Sequence, residues 1–193
     1  MRYHISHLSA SCFSALRQIR SIRRSLSTFA LDMLISSLVH SRLDYCNVVL
    51  TGLPSRDIQR LQLILNSAVR LSAGSRKFDH VTPLLRDRHW LPMVERIDYK
   101  LCVLVYRCLH GTAPSYLAEF IKPISTVGRR SGLRSAETLS VAVPRTKSSV
   151  GDRAFAAAGP RAWNSLPVHV RSAGTLDSFR RLLKTHLFKR AYL

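Results

Sequence analysis

The sequence predicts a mainly α-helical protein: a helical bundle followed by a smaller basic α+β C-terminal region with a short strand or hairpin. Several segments before residue 122 repeat apolar residues at the spacing of a helix with one buried face. Beyond residue 138, a short stretch alternates apolar and small residues with the period of a strand. The 193 residues are 46% hydrophobic, which allows a core and argues against wholesale disorder.

The first two long helices are predicted from apolar faces bounded by start and stop residues. Ser25 and Ser27 are candidate N-caps of a helix that runs to about Tyr45. Pro54 is suited to open the next helix, which is predicted to end near residues 72–74. A short turn joins these helices, so they are expected to pack antiparallel. Their apolar faces consist of Leu31, Leu34, Ile35, Leu38 and Val39, and of Ile58, Leu61, Ile64, Leu65 and Ala68.

A mixed segment, residues 75–92, separates this pair from a third long helix. That helix is predicted to end at Gly111 and to be the most buried, because its apolar face is broad: it holds Ile97, Leu101, Leu104, Val105 and Cys108. Pro114 and Ser115 are predicted to begin a short helix.

The C-terminal part is predicted to be organised differently. Residues 123–135 are interpreted as a basic linker, and residues 139–143 as a short strand stopped by Pro144. Residues 150–155 are a candidate partner strand, although part of this segment also favours a helix. A cationic helix is predicted over residues 176–187, and its buried side is expected to hold Phe179, Leu182, Leu183 and His186. The predicted segments of the chain are therefore 1–75, 76–122, 123–135 and 136–193.

Positive charge is concentrated at the two ends of the chain. The 30 Lys and Arg residues exceed the 11 Asp and Glu residues by 19, and the segments 1–24 and 123–193 carry +5 and +10 of that excess. Of the 30 cations, 24 are arginine, whose forked guanidinium suits phosphate. These observations make a polyanion such as RNA or DNA the expected partner.

Three groups of cations are candidate contacts to nucleic-acid phosphates. No zinc-finger, homeodomain or RNP signature accompanies them, so contacts to the backbone with poor sequence specificity are expected. The groups are Arg17, Arg20 and Arg24; Arg60, Arg70, Arg76 and Lys77; and Arg129, Arg130, Arg134, Arg145 and Lys147.

The sequence predicts no catalytic residue, no metal site, no cofactor and no small-molecule substrate. No two acidic residues are adjacent, and the nearest pair, Glu95 and Asp98, stands among cations and is interpreted as an ion-pair face. The cysteines and histidines lack the paired spacing of zinc ligands, so the four cysteines are expected to be reduced and mostly buried. Trp90 and Trp163 stand beside Leu and Pro, which favours packing against a core over stacking on bases. No apolar run approaches the length of a membrane span.

Eight motifs in a fixed order carry a resemblance to a known family. They are SRLDYCN from Ser41, LQLILNSAVRL from Leu61, DHVTPLL from Asp79, HWLP from His89, HGTAPSYL from His110, VPRT from Val143, GDRAF from Gly151 and PRAWNSLP from Pro160. Together they resemble the C-terminal segment of the reverse-transcriptase polyprotein of non-LTR (LINE-type) retrotransposons, over about residues 5–188.

The resemblance implies a role for each part of the chain. Segment 1–75 is similar to the polymerase thumb, which grips the template-primer duplex, and segment 76–122 would be a helical extension packed on it. Parent proteins of this family copy RNA into DNA with magnesium and nick their target with an endonuclease. The palm and the endonuclease are absent from these 193 residues. The expected function is therefore a catalytically inactive fragment that retains RNA or DNA binding and has the missing palm as a potential partner.

Two alternatives remain open from the sequence. The first 31 residues contain no acid, as in a mitochondrial transit peptide, so the chain could be an imported basic RNA-binding or ribosome-associated protein. It could also be a chance reading frame without a selected role. A nuclear or cytoplasmic location is favoured, with mitochondrial import as the alternative.

Overall fold

The structure, a computed structural model, describes residues 1–126 and 139–193, which are mainly helical as predicted. The chain divides into two compact units. The first unit, Met1–Arg96 with Ala191–Leu193, contains α1 (Arg2–Ile22), α2 (Thr28–Ile35), α3 (Ser41–Asp44), α4 (Ser55–Ala73) and α5 (Val81–Asp87). The second unit, Ile97–Arg190, contains most of α6 (Met93–Leu109), α7 (Ser115–Ala118), α8 (Ser149–Arg153), α9 (Phe155–Asn164), α10 (Val168–Arg171) and most of α11 (Leu176–Tyr192).

The predicted helix pair forms the centre of the first unit. Ser27 caps α2, since its hydroxyl accepts from the backbone N–H of Ala30 at 3.2 Å. A π-helical turn, Ser36–His40, links α2 to α3. The Ser72 hydroxyl near the end of α4 donates to the Asp32 carboxylate, which lies near the start of the helical run formed by α2, the π-helical turn and α3; this agrees with the predicted antiparallel packing.

Helix α1 lies along α4 and runs in the same direction. Near their starts, Nη2 of Arg60 on α4 donates to Oγ of Ser6 on α1 at 3.1 Å. Near their ends, residues of both helices line one cavity. The contact between the two helices is apolar, because α1 buries Ile5, Cys12, Ala15, Leu16 and Ile19, and α4 buries Leu61, Ile64, Leu65, Ala68 and Val69.

Two ion pairs hold the remaining segments of the first unit. Nη1 of Arg88 lies 2.5 Å from Oδ2 of Asp32, and the same guanidinium donates to the Ser72 carbonyl. Nη2 of Arg96 lies 2.5 Å from Oδ2 of Asp44. These contacts fix the segment that contains α5, a helix that the mixed sequence of residues 75–92 did not predict.

An aromatic cluster forms the core of the second unit. Tyr106 on α6, Trp163 on α9 and Phe179 on α11 are all at most 2% exposed. The rings of Tyr106 and Phe179 stack with centroids 4.5 Å apart, and those of Trp163 and Phe179 are 5.5 Å apart. The prediction that Trp163 packs into a core is confirmed.

The predicted strand or hairpin is not confirmed. Among the described residues, Val141 forms one isolated antiparallel bridge, to Pro123. The Asn164 side chain bonds both backbone groups of Val141, and so replaces a strand partner. The candidate partner segment 150–155 is helical instead, because the Ser148 hydroxyl accepts from the backbone N–H of Gly151 and begins α8.

The cysteine prediction is confirmed: Cys12, Cys102 and Cys108 are buried, Cys46 is exposed, and all four are free thiols. Burial raises the pKa of each of the three buried thiols, so they are protonated at neutral pH. No helix in the described part of the chain is both long and apolar enough to cross a membrane.

Candidate nucleic-acid interface

A concave, positively charged surface lies in the first unit, where the C-terminal ends of α1 and α4 meet. Its cavity measures about 530 Å³. We call this surface the cationic cleft, and its charged residues are Arg20, Arg23, Arg24, Arg70 and Lys77. Ser67, Leu71 and Ser75 complete the lining, so the cleft contains no acidic side chain among the described residues.

The helix directions explain why so many cations gather there. Because α1 and α4 run in the same direction, their C-terminal turns lie together. The last turn of a helix carries partial negative charge on its unpaired carbonyls and therefore favours cations. Arg20 lies in the last turn of α1 and Arg70 in the last turn of α4. A 3₁₀ turn, Arg23–Ser25, continues α1 and adds two more arginines.

The five cations of the cleft have no carboxylate partner among the described residues. The ion pairs found in residues 1–126 and 139–193 use other arginines, such as Arg88 and Arg96. Arg70 donates from Nη2 to the Asp79 backbone carbonyl at 3.0 Å, while its enclosed Nε has no acceptor. Uncompensated positive charge in a concave surface concentrates its field and attracts anions.

Gly74 allows Arg23 to reach the cleft. Its φ of +72° ends α4 in the left-handed conformation, with its N–H bonded to the Arg70 carbonyl. A Cβ at this position would lie 2.4 Å from Nη2 of Arg23, so that guanidinium passes directly over the glycine. The left-handed backbone favours glycine here, whereas the Arg23 guanidinium, at the end of a flexible side chain, can shift to admit a Cβ.

Replacing Gly74 with alanine is expected to cost about 1–2 kcal/mol of the free energy of unfolding, because a Cβ disfavours the left-handed conformation. Urea unfolding measures this loss. Gly111→Ala is the matched control, since Gly111 has φ +65° but a Cβ there would meet no atom within 4 Å. Both variants should lose similar stability, whereas only Gly74→Ala should shift the NMR signal of Arg23 Nε–H. An unchanged Arg23 signal in Gly74→Ala would contradict the close approach.

The structure brings four of the predicted binding residues into the cationic cleft: Arg20, Arg24, Arg70 and Lys77. Arg17 and Arg76 are exposed nearby in sequence but do not line it. Arg60 belongs to a separate depression of about 200 Å³ with Arg2 and Arg56. Arg23 was not predicted from the sequence, although its place in the same basic run as Arg20 and Arg24 was a usable signal.

The remaining predicted residues belong to the C-terminal part of the chain. Arg145 and Lys147 are exposed in the second unit, between Val141 and α8. Arg129, Arg130 and Arg134 lie outside the described residues.

One member of the acidic pair Glu95 and Asp98 forms an ion pair with a distant helix. Asp98 accepts from Nη2 of Arg190 at 2.5 Å, in agreement with its interpretation as part of an ion-pair face. Within residues 1–126 and 139–193, no group of three or more His, Cys, Asp or Glu side chains is placed to hold a metal ion.

The chain matches no protein-family model, no curated protein and no solved structure. Its function is therefore inferred from the motifs in the sequence and from the geometry of the cationic cleft.

Proposed function

We propose that this chain is a C-terminal fragment of a non-LTR retrotransposon reverse transcriptase that binds the phosphate backbone of RNA or DNA through the cationic cleft and performs no catalysis itself. The observation that carries the binding proposal is the group of five cations, unpaired with any described carboxylate, around one cavity of about 530 Å³. The eight ordered motifs support the family assignment.

The shape and chemistry of the cleft fit a phosphate chain. Arg20, Arg23 and Arg24 are exposed, so their guanidinium groups can reach a ligand without rearrangement of the core. Four of the five cations are arginines, which bind phosphate oxygens with two parallel N–H donors. Among the described residues, the cleft offers no aromatic side chain for stacking on bases and no acceptor side chain except serine hydroxyls, which favours contacts to the backbone over base readout.

The place of α1 in the fold supports this proposal over the alternative in which the first residues are a mitochondrial transit peptide that is cleaved off after import. Ile5, Cys12 and Ile19 of α1 are at most 2% exposed against the core of the first unit. Cleavage near residue 30 would expose the apolar face of α4 and remove Arg20, Arg23 and Arg24 from the cleft. A helix that builds both the core and the proposed interface is better suited to the mature protein than to a discarded leader.

The test is the salt dependence of RNA and DNA binding, measured by fluorescence anisotropy with the full chain. The cleft variant combines Arg20→Gln, Arg23→Gln and Arg24→Gln. The slope of log K against log salt is negative, and each lost phosphate contact should reduce its magnitude by about 0.7 to 0.9. The slope of the triple variant should therefore be smaller in magnitude by about 2 to 3, and its affinity should be about 100-fold weaker at about 0.1 M salt.

A matched control separates the cleft from general electrostatic attraction. Arg181, Lys184 and Lys189 are exposed on α11, and replacing all three with glutamine removes the same net charge. The control variant should bind nearly as tightly as the unchanged chain. Equal losses in both variants, or a slope near zero in the unchanged chain, would refute the proposal.

A further inference from the structure

A buried arginine with no described counter-ion lies at the end of α10 in the second unit. Arg171 is 8% exposed. Its Nη1 donates to the Ser140 hydroxyl at 2.8 Å, while its enclosed Nε has no acceptor. No carboxylate of residues 1–126 or 139–193 forms an ion pair with it.

This burial is unfavourable for the charged guanidinium. Removing a charge from water is costly unless an opposite charge and hydrogen bonds replace the lost hydration. Desolvation lowers the pKa of Arg171 from its usual value, although arginine stays protonated in proteins. The one neutral hydroxyl that residues 1–126 and 139–193 supply is a poor replacement for hydration, so these residues leave capacity for an anion.

Arg171 lines a cavity of about 430 Å³ whose other walls are largely apolar. Leu139, Val141 and Ala173 supply apolar surface, and the His110 and Ser172 side chains supply polar groups. Gly174 also lines the cavity, and a Cβ there would meet no atom within 4 Å. Mostly apolar walls with a few polar groups, in this range of volume, are typical of sites for small organic ligands.

We propose that this cavity binds a small organic anion, whose carboxylate or phosphate pairs with Arg171 while its apolar body lies against Leu139 and Val141. The oxyanion provides the opposite charge that the buried guanidinium needs. All of these residues belong to the second unit, so the site is separate from the cationic cleft. The sequence predicted no small-molecule ligand because nothing in it marked Arg171 as buried.

The test uses the full chain and three probes of similar size. Phenyl phosphate and benzoate carry the two candidate anionic groups, and benzyl alcohol is their neutral counterpart. Calorimetry and the thermal unfolding temperature report binding, since a ligand that binds only the folded state raises that temperature. At least one anion should bind with a dissociation constant of about 1 mM or lower, and benzyl alcohol about 10-fold or more weakly.

Three variants locate the site. Arg171→Met removes the charge and should weaken anion binding about 10-fold to 100-fold. Gly174→Leu keeps the charge but fills part of the cavity, and it should also weaken binding. Arg181→Gln removes an exposed charge from α11 and should leave binding unchanged.

The outcomes are separable from those of the nucleic-acid proposal. Arg171→Met should fold without an anion, because it removes an unpaired buried charge, and it should keep the salt dependence of RNA binding. If that variant fails to fold, Gly174→Leu still decides whether the cavity is the site. Absence of anion binding to the unchanged chain, binding that survives both Gly174→Leu and Arg171→Met, or equal binding of benzyl alcohol would each overturn the proposal.

Discussion

Replacing Trp163 with alanine is expected to cost about 3–5 kcal/mol of the free energy of unfolding, the largest effect expected of any single substitution proposed for this chain. The indole is 1% exposed, and its ring centroid lies 5.5 Å from that of Phe179 and 6.4 Å from that of Tyr106. Its Nε1–H donates to the Leu139 carbonyl at 2.8 Å. The substitution therefore leaves a cavity among the aromatic rings and an unpaired carbonyl.

Urea unfolding measures the loss, and hydrogen exchange of the α9 amides assigns it to the second unit. Tyr116→Ala is the matched control, since Tyr116 is also an aromatic residue of the second unit but is 64% exposed. The control should change stability by no more than about 0.5 kcal/mol. A loss below about 1 kcal/mol in Trp163→Ala would contradict the packing described for the aromatic cluster.

Helices with one continuous apolar face could be predicted from the sequence, and those shaped by tertiary contacts could not. The apolar spacing from Ile97 to Cys108 predicted α6 because one face of that helix enters the core. In contrast, Gly159 and Pro160 are residue types that commonly interrupt helices, yet both lie inside α9. A Cβ at Gly159 would lie 3.0 Å from Cγ2 of Val105, so glycine permits the close packing of α9 on α6. That contact is long-range and leaves no local signal.

The predicted short strand is not confirmed, for a related reason. Alternation of Leu139, Val141 and Val143 indicates a half-buried extended segment but does not reveal what satisfies its backbone groups. Here the Asn164 side chain forms hydrogen bonds with both the backbone N–H and the carbonyl of Val141. Leu139 has a φ of +53°, which lies outside the range of a regular strand. The predicted partner was therefore free to form α8 and the start of α9.

The candidate site was predictable in composition but not in extent. The sequence grouped Arg17, Arg20 and Arg24 as candidate contacts, yet the cleft contains Arg23 in place of Arg17. The difference arises because α1 ends in a 3₁₀ turn at Arg23–Ser25, where helical spacing no longer applies. The sequence also did not reveal that α1 and α4 run in the same direction, which brings Arg70 and Lys77 to these arginines.

Lowering the pH from about 7.5 to about 4.5 is expected to remove about 2 to 3 kcal/mol of stability through His40 alone. This side chain is 8% exposed, its ring centroid lies 4.2 Å from that of Trp90, and its Nε2 has no hydrogen-bond partner. Burial, followed by the charge of Arg96, lowers the pKa of His40 to about 4, against the opposing charges of Asp44 and Asp32. The folded protein therefore holds this imidazole neutral under conditions in which the unfolded chain protonates it.

The sign of the effect follows from that difference. Because the folded pKa lies below the unfolded value of about 6.5, the unfolded state binds the extra proton as the pH falls from 6.5 towards 4. The stability contributed by neutral His40 is thus fully present above the unfolded pKa and is lost through this window. Burial also lowers the pKa of His186, so this residue adds a loss of stability at acid pH in the same direction. The total loss of stability between the two pH values therefore does not measure the contribution of His40 by itself.

Urea unfolding of His40→Leu at both pH values isolates the contribution of His40, because leucine fills a similar buried volume and does not titrate. The variant should lose about 2 to 3 kcal/mol less than the unchanged chain over the same pH interval. His4→Leu is the matched control: His4 is exposed on α1, so its replacement should leave the acid loss in place. Equal acid losses in His40→Leu and the unchanged chain would mean that His40 titrates alike in the folded and unfolded states, and that it is not enclosed against Trp90.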